Sequence, residues 1–156
     1  MAAIKAVVLD IDGVFTDGTV SLGSEDDERK SLHFADIMGV ARALKNGILF
    51  GLITGEGGLL VTRIAAKLGI TDVTTNCKTK DVALRAFASR HNLHLAEILF
   101  VGDDILDVPA FQIAGHSAAP ADAQHCAIEA AQFTARRNGG HGAVREILES
   151  LVGPIA

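Results

Sequence analysis

The chain has 156 residues, 49% of them hydrophobic, and 14 Lys and Arg against 19 Asp and Glu give a formal net charge of −5. That length suits a single domain over residues 1–156 with a core of its own, and no apolar run reaches the length of a membrane span. An acidic chain without Trp or Tyr lacks the basic, stacking surface that nucleic acids require, so neither a nucleic acid nor a membrane is expected as partner.

The first element is the run Ile4-Lys5-Ala6-Val7-Val8-Leu9, whose β-branched residues and following glycine mark a buried strand of a parallel sheet. Lys5 interrupts this stretch and an acidic motif follows it, unlike the order of a secretion leader. The expected compartment is therefore the cytoplasm. The strand runs into Asp10-Ile11-Asp12-Gly13-Val14-Phe15-Thr16-Asp17-Gly18. Two carboxylates at a strand's carboxyl end repel each other unless a cation, a proton or a phosphoryl group lies between them. Thr16 and Asp17 are turn-shaping residues.

Alternating residues at 19–22 and 30–34 flank the polar stretch 23–29, which predicts a projecting β-hairpin over about 19–34 with the acidic run Glu25-Asp26-Asp27-Glu28 at its tip. Val20, Leu22, Leu32 and Phe34 on such a hairpin form an edge that wants covering. Buried strands follow at 48–53, ending in Thr54-Gly55, and at 98–101, ending in Gly102-Asp103-Asp104. Weaker strands are expected near 72–74, 116–118 and 133–134. Helical periodicity covers 37–45, 59–68, 80–91, 105–114, 121–127 and 143–151. Strands alternating with helices predict a doubly wound, mostly parallel Rossmann-like sheet, with no second domain. Phe50, Phe87, Phe100 and Phe111 fall at core positions, and Cys77 and Cys126, far apart and outside any metal-ligand spacing, read as idle thiols.

Four groups then sit at strand ends: Asp10 with Asp12, Thr54-Gly55, Lys80 at a helix start, and Asp103-Asp104 with Asp107. A doubly wound sheet can bring them to one crevice. A carboxylate can take a phosphoryl group as nucleophile, and a second carboxylate can protonate the leaving oxygen and then activate water. A hydroxyl, a backbone N–H and an ammonium can hold the phosphoryl oxygens. An oxygen-rich acidic shell suits Mg²⁺.

These residues, in this order, resemble the four motifs of haloacid-dehalogenase-type phosphatases. The chain is most similar to their short, capless branch, which includes the 3-deoxy-D-manno-octulosonate 8-phosphate and nonulosonate 9-phosphate phosphatases. The similarity extends through Asp36-Ile37-Met38-Gly39 and through Arg136-Arg137-Asn138-Gly139-Gly140-His141-Gly142-Ala143-Val144-Arg145-Glu146. It implies Asp10 as nucleophile and Mg²⁺ ligand, Asp12 as general acid/base adding its backbone carbonyl to the metal, and Asp103 as a direct metal ligand. Thr54, Gly55 and Lys80 would bind the phosphoryl group, with Lys78 as the alternative lysine. Asp104 and Asp107 would support the metal and orient the lysine. The implied reaction is Mg²⁺-dependent removal of the terminal phosphate of a 2-keto-3-deoxy sugar acid through an aspartyl phosphate. The implied assembly is a homotetramer whose neighbouring subunits roof each site.

One departure bears on substrate. Octulosonate phosphatases of this type carry an arginine after Thr-Gly, whereas this chain has Glu56, which reverses the local charge and removes a five-donor fork. Relatives resembling nonulosonate 9-phosphate phosphatases carry Glu there and a Lys eleven residues on, where this chain has Lys67. Glu56 could accept hydrogen bonds from sugar hydroxyls, and Lys67 or Arg63 could meet a carboxylate across a subunit interface. His33, His141, Arg136, Arg137 and Arg145 are further candidates for substrate contact. Asp36 is expected either to bind substrate or to cap its own helix. A catalytically silent oligomerisation or regulatory module of the same fold is the alternative. A receiver-type signalling domain is the rival from another class, although its phosphoacceptor normally lies at a mid-chain strand, where this chain has Thr54-Gly55.

Overall fold

The computed structural model describes residues 2–25 and 27–154. Asp26, expected at the hairpin tip, lies outside the described residues, as do Met1, Ile155 and Ala156. Six strands form one parallel sheet in the order β5-β4-β1-β6-β7-β8. They are β1 (Ala6–Leu9), β4 (Leu49–Ile53), β5 (Asp72–Thr74), β6 (Ile98–Val101), β7 (His116–Ala119) and β8 (Phe133–Thr134). β2 (Ser21–Leu22) and β3 (Glu28–Arg29) form a separate antiparallel pair.

β1 is fully buried at every residue, because both faces of a parallel sheet are covered. Side chains alternate across it. Val7 and Leu9 enter a core with Val40, Ile64, Leu68, Val144 and Ile147. Those residues belong to α1 (Phe34–Lys45), α2 (Leu59–Leu68) and α6 (Ala143–Ile147). Ala6 and Val8 enter the opposite core with Leu84, Phe87, Phe100, Phe111 and Ala127, supplied largely by α3 (Lys80–Arg90), α4 (Val108–Ile113) and α5 (His125–Ala130). The chain winds from β1 through β4 to β5, then returns to β6 on the other side of β1. This reversal opens a crevice at the carboxyl ends of β1, β4 and β6.

Several boundaries differ from expectation. The hairpin pairs Ser21 with Arg29 and Leu22 with Glu28, so its second strand precedes 30–34. Phe34 instead opens α1, which begins at the N-cap His33, whose Nδ1 accepts from the Ala35 N–H at 3.2 Å. His33 is thus a capping residue. The helix expected over 105–114 is split into a 3₁₀ turn, Ile105–Asp107, and α4, with Pro109 in the first turn of α4. α5 overlaps the helix expected over 121–127 only from His125 and continues to Ala130, and the last helix ends as a π-type turn, Leu148–Val152.

Asp36 does neither of the things expected of it. Buried in α1, its carboxylate accepts the Gly142 N–H at 3.2 Å and the Arg145 N–H at 2.9 Å. It therefore caps α6, 106 residues away. Burial pushes its pKa up, and the two N–H groups pull in the other direction. Asp36→Ala leaves those donors unsatisfied and is expected to cost about 1–3 kcal/mol. The melting temperature should fall by roughly 2–12 °C; a thermal melt unchanged within a degree would contradict this role.

Candidate active site

Asp10 and Asp12 leave β1 in the loop that follows it. Gly13 adopts φ +79°, and a Cβ there would fall inside the Asp103 carboxylate, so only glycine permits the loop after β1 and the loop after β6 to come this close. Thr16 Oγ1 accepts from Gly13 N–H at 3.3 Å and Gly18 N–H at 3.2 Å, while Asp17 accepts from Thr19. Both shape the turn. From behind, the tail braces this loop: Gly140 N–H donates to the Val14 carbonyl at 3.1 Å, and Gly139 packs so closely on Gly13 that a Cβ would strike its carbonyl.

The resulting crevice, of about 470 Å³, is lined by Asp10, Asp12, Thr54, Gly55, Glu56, Lys80, Asp103, Asp104 and Asp107. Lys80 stands at its floor, 2% exposed, with Nζ 2.8 Å from Asp10 Oδ2 and 2.6 Å from Asp107 Oδ1. Burial alone would lower its pKa, but the two carboxylates outweigh that and raise it. Lys80 is a locked cation. Asp107 Oδ2 accepts the N–H groups of Asp103 and Asp104 at 2.8 and 3.1 Å, which fixes the loop after β6. Asp10 Oδ1 accepts the Ile11 N–H at 2.7 Å. Thr54 is 1% exposed, and its Oγ1 accepts the Glu56 N–H at 3.2 Å.

Crowding of the acids has an electrostatic cost. Burial first, then the Asp107 charge, pushes Asp10 up to about 6 despite Lys80. Burial, then Asp10, Asp107 and Asp104, pushes Asp103 up to about 8. Carboxylate oxygens of Asp10, Asp103 and Asp107 all lie within 4.8 Å of one another. Hard oxygen donors with surplus negative charge fit a divalent cation such as Mg²⁺. Asp107 already uses both oxygens for Lys80 and two N–H groups, so it suits an orienting role better than direct ligation.

A carboxyl raised above its unfolded value binds its proton more tightly in the folded state. The stability this gives is present below pH 3.8 and lost as pH rises through about 6 for Asp10 and about 8 for Asp103. The metal-free protein should therefore melt progressively lower from about pH 4 to about pH 8. Saturating Mg²⁺ should raise the melting temperature, by roughly 5–10 °C at about 100 times its dissociation constant, and more at pH 8 than at pH 5. Equal shifts at both pH values would contradict the charge argument.

Two charged residues escaped the sequence reading. Lys30, just past β3, places Nζ 2.7 Å from Asp12 Oδ1 with its side chain only 10% exposed, tying the hairpin to the loop after β1. Asp122 also lines the crevice, and its Oδ1 accepts the Gly139 N–H at 2.9 Å. Neither carries a local motif, since their partners are distant in sequence. Other expected contacts are not brought to this crevice within the chain. Arg63 lines a separate groove with Asp27, Glu28 and Gly57. The Lys67 ammonium lies 5.5 Å from the centre of the Phe34 ring. His141 Nδ1 lies 3.0 Å from the Gly139 carbonyl. Arg136, Arg137 and Arg145 line a third groove with Glu146 and Glu149.

Comparison with known proteins accords with this geometry. A family model described as haloacid dehalogenase-like hydrolase matches residues 26–147. The 3-deoxy-D-manno-octulosonate 8-phosphate phosphatase KdsC of Escherichia coli K12 is 34% identical over 149 residues, covering 96% of this chain and 79% of that protein. The chain belongs to the haloacid dehalogenase-like hydrolases, in the 3-deoxy-D-manno-octulosonate 8-phosphate phosphatase family. It is thus a phosphatase of the haloacid dehalogenase type. Its fold matches the Moraxella catarrhalis 3-deoxy-D-manno-octulosonate 8-phosphate phosphatase, crystallised with magnesium ion, phosphate ion and KDO, at TM-score 0.92 and 29% identity, covering 96% of this chain and 86% of that one. The cobalt-bound family phosphatase of Haemophilus influenzae matches at TM-score 0.91 and 30% identity, covering 96% and 87%. The described residues of the phosphatase form the parallel sheet with a small antiparallel hairpin and no cap domain. Among its described residues, no helix is long and apolar enough to cross a membrane.

Proposed function

We propose that this phosphatase removes the terminal phosphate of a 2-keto-3-deoxy sugar acid in a Mg²⁺-dependent reaction through an aspartyl phosphate. The observation that carries this reading is the meeting of Asp10, Asp12, Thr54, Lys80 and Asp103 in one crevice, in a family one of whose members was crystallised with magnesium, phosphate and KDO. Mg²⁺, held by Asp10, Asp103 and the Asp12 carbonyl, would neutralise phosphoryl charge and orient the ester.

Asp10 Oδ2 attacks phosphorus and the ester oxygen leaves. Asp12, partly exposed in the crevice wall, donates a proton to that oxygen, then takes one from the water that attacks the aspartyl phosphate. Phosphate departs and the Asp10 carboxylate is restored. Lys80, the Thr54 hydroxyl and the Gly55 N–H hold the phosphoryl oxygens as charge redistributes. Asp107 keeps Lys80 aimed at Asp10 from a distance of 2.6 Å.

Glu56 directs the reading towards nine-carbon acids, such as KDN or an N-acylneuraminate phosphorylated at position 9. A carboxylate beside Thr54 accepts from sugar hydroxyls, where a guanidinium would favour a carboxylate. Phosphate release from 3-deoxy-D-manno-octulosonate 8-phosphate and two nonulosonate 9-phosphates, measured side by side, tests this. A preference of tenfold or more for a nine-carbon ester, about 1.4 kcal/mol in the transition state, is expected. Preference for the eight-carbon ester would make Glu56 a tolerated departure, and turnover of neither would overturn the sugar-acid reading.

The assembly we propose is a homotetramer in which a neighbour covers the crevice. The exposure of Leu22 (74%), Phe34 (69%) and Leu59 (76%) supports it. Arg63, Lys67 and His141 would then act on a neighbouring site. Two free thiols, Cys77 and Cys126, suit the reducing cytoplasm.

A further inference from the structure

We propose that Lys78 is the cation that a chain's own crevice offers to the substrate's carboxylate, beside any that a neighbour supplies, an inference resting on the reading of the substrate as a phosphorylated sugar acid. Such a substrate carries two anionic centres, while the crevice is lined by eight carboxylates and two lysines. Of those lysines, Lys80 is consumed by Asp10 and Asp107 at the floor, and nearby Lys30 is bound to Asp12. Lys78 is exposed and, among the described residues, pairs with no carboxylate. Within one chain, and among the described residues, it is the lining lysine without a carboxylate partner.

Its backbone is placed with care. Asn76 N–H donates to the Glu56 carbonyl and Cys77 N–H to the Thr54 carbonyl, both at 2.9 Å. The loop after β5 is thereby pinned to the loop after β4, and Asn76 takes the left-handed turn at φ +52° that this requires. Lys78 emerges from that pinned segment immediately before α3. Its Nζ lies 3.6 Å from where a Gly55 Cβ would stand, in the crevice that Thr54 and Glu56 also line. A carboxylate entering a crevice lined by eight others needs a compensating cation, and Lys78 is positioned to supply it. A long, flexible ammonium can follow a carboxylate on chains of different length, whereas the buried Lys80 cannot move.

The test uses the intact protein with Mg²⁺ in three forms: wild type, Lys78→Met and Lys78→Arg. Each is assayed on a sugar-acid phosphate and on the same ester with its carboxylate converted to the uncharged amide. Lys78→Met is expected to raise KM for the acid tenfold or more and to reduce the preference for acid over amide to within twofold. Lys78→Arg should restore most of that preference. Equal losses on acid and amide would assign Lys78 to the phosphoryl group and overturn the inference, as would an unchanged KM for the acid. A wild-type enzyme inactive on every sugar-acid ester would instead sink the reading beneath it, and the inference with it.

Discussion

Asp10→Asn should lower phosphate release by about 10⁴-fold or more, the scale of loss when a covalent nucleophile is removed from a preorganised site. The substitution keeps shape and the bond from the Ile11 N–H at 2.7 Å, because the amide oxygen can still accept it. It removes the charge that burial and Asp107 already disfavour, where the Asp10 pKa stands at about 6. Stability of the metal-free protein should therefore be kept or raised. Loss of activity with an intact melting curve is the expected pair of results. Activity within tenfold of wild type would remove Asp10 from the chemistry.

Lys80→Met should damage both fold and catalysis. Lys80 Nζ bridges Asp10 at 2.8 Å and Asp107 at 2.6 Å, and the side chains of Lys80 and Asp107 are 2% and 1% exposed. Breaking a buried ion pair from one side leaves uncompensated charge, at about 3–5 kcal/mol, or a melting temperature lower by roughly 10 °C. Activity should fall at least about 10³-fold, since an electrostatic contact to the phosphoryl oxygens is lost as well. Mg²⁺ should recover more of the stability than of the activity, because a cation can satisfy Asp10 but cannot replace the ammonium beside the phosphoryl group. Recovery of both together would assign Lys80 a purely structural part.

The sheet was legible because its strands advertise themselves. The runs ending at Asp10, Thr54 and Asp103 are apolar on both faces, as only strands covered on both sides need be, and their carboxyl ends locate the crevice. The hairpin register was not legible. Alternation at 30–34 suggested a strand, but the His33 cap drew Phe34 into α1 and left Glu28–Arg29 to pair with Ser21–Leu22. A cap and a strand compete for the same residues, and local pattern cannot rank them. The turn at Ile105–Asp107 interrupts a helical period because Asp107 commits both oxygens to the loop and Lys80.

Long-range partnerships explain the remaining differences. Asp36 caps a helix at Gly142, and Lys30 reaches back to Asp12; neither spacing has a local signature. Lys80, which opens α3, is buried between two carboxylates, whereas Lys78 is exposed near Gly55; neither environment has a local signature. Arg63, Lys67 and His141 could be read only through resemblance, and within one chain they lie outside the crevice lining.

The most direct test of the central claim is the stereochemical course at phosphorus. A phosphorothioate ester made chiral by oxygen isotopes would be hydrolysed with Mg²⁺ in isotopically labelled water and the product configuration determined. Two in-line displacements, first by Asp10 and then by water, each invert phosphorus, so overall retention is predicted. Overall inversion would mean that water attacks the ester directly, and it would contradict an aspartyl phosphate on Asp10.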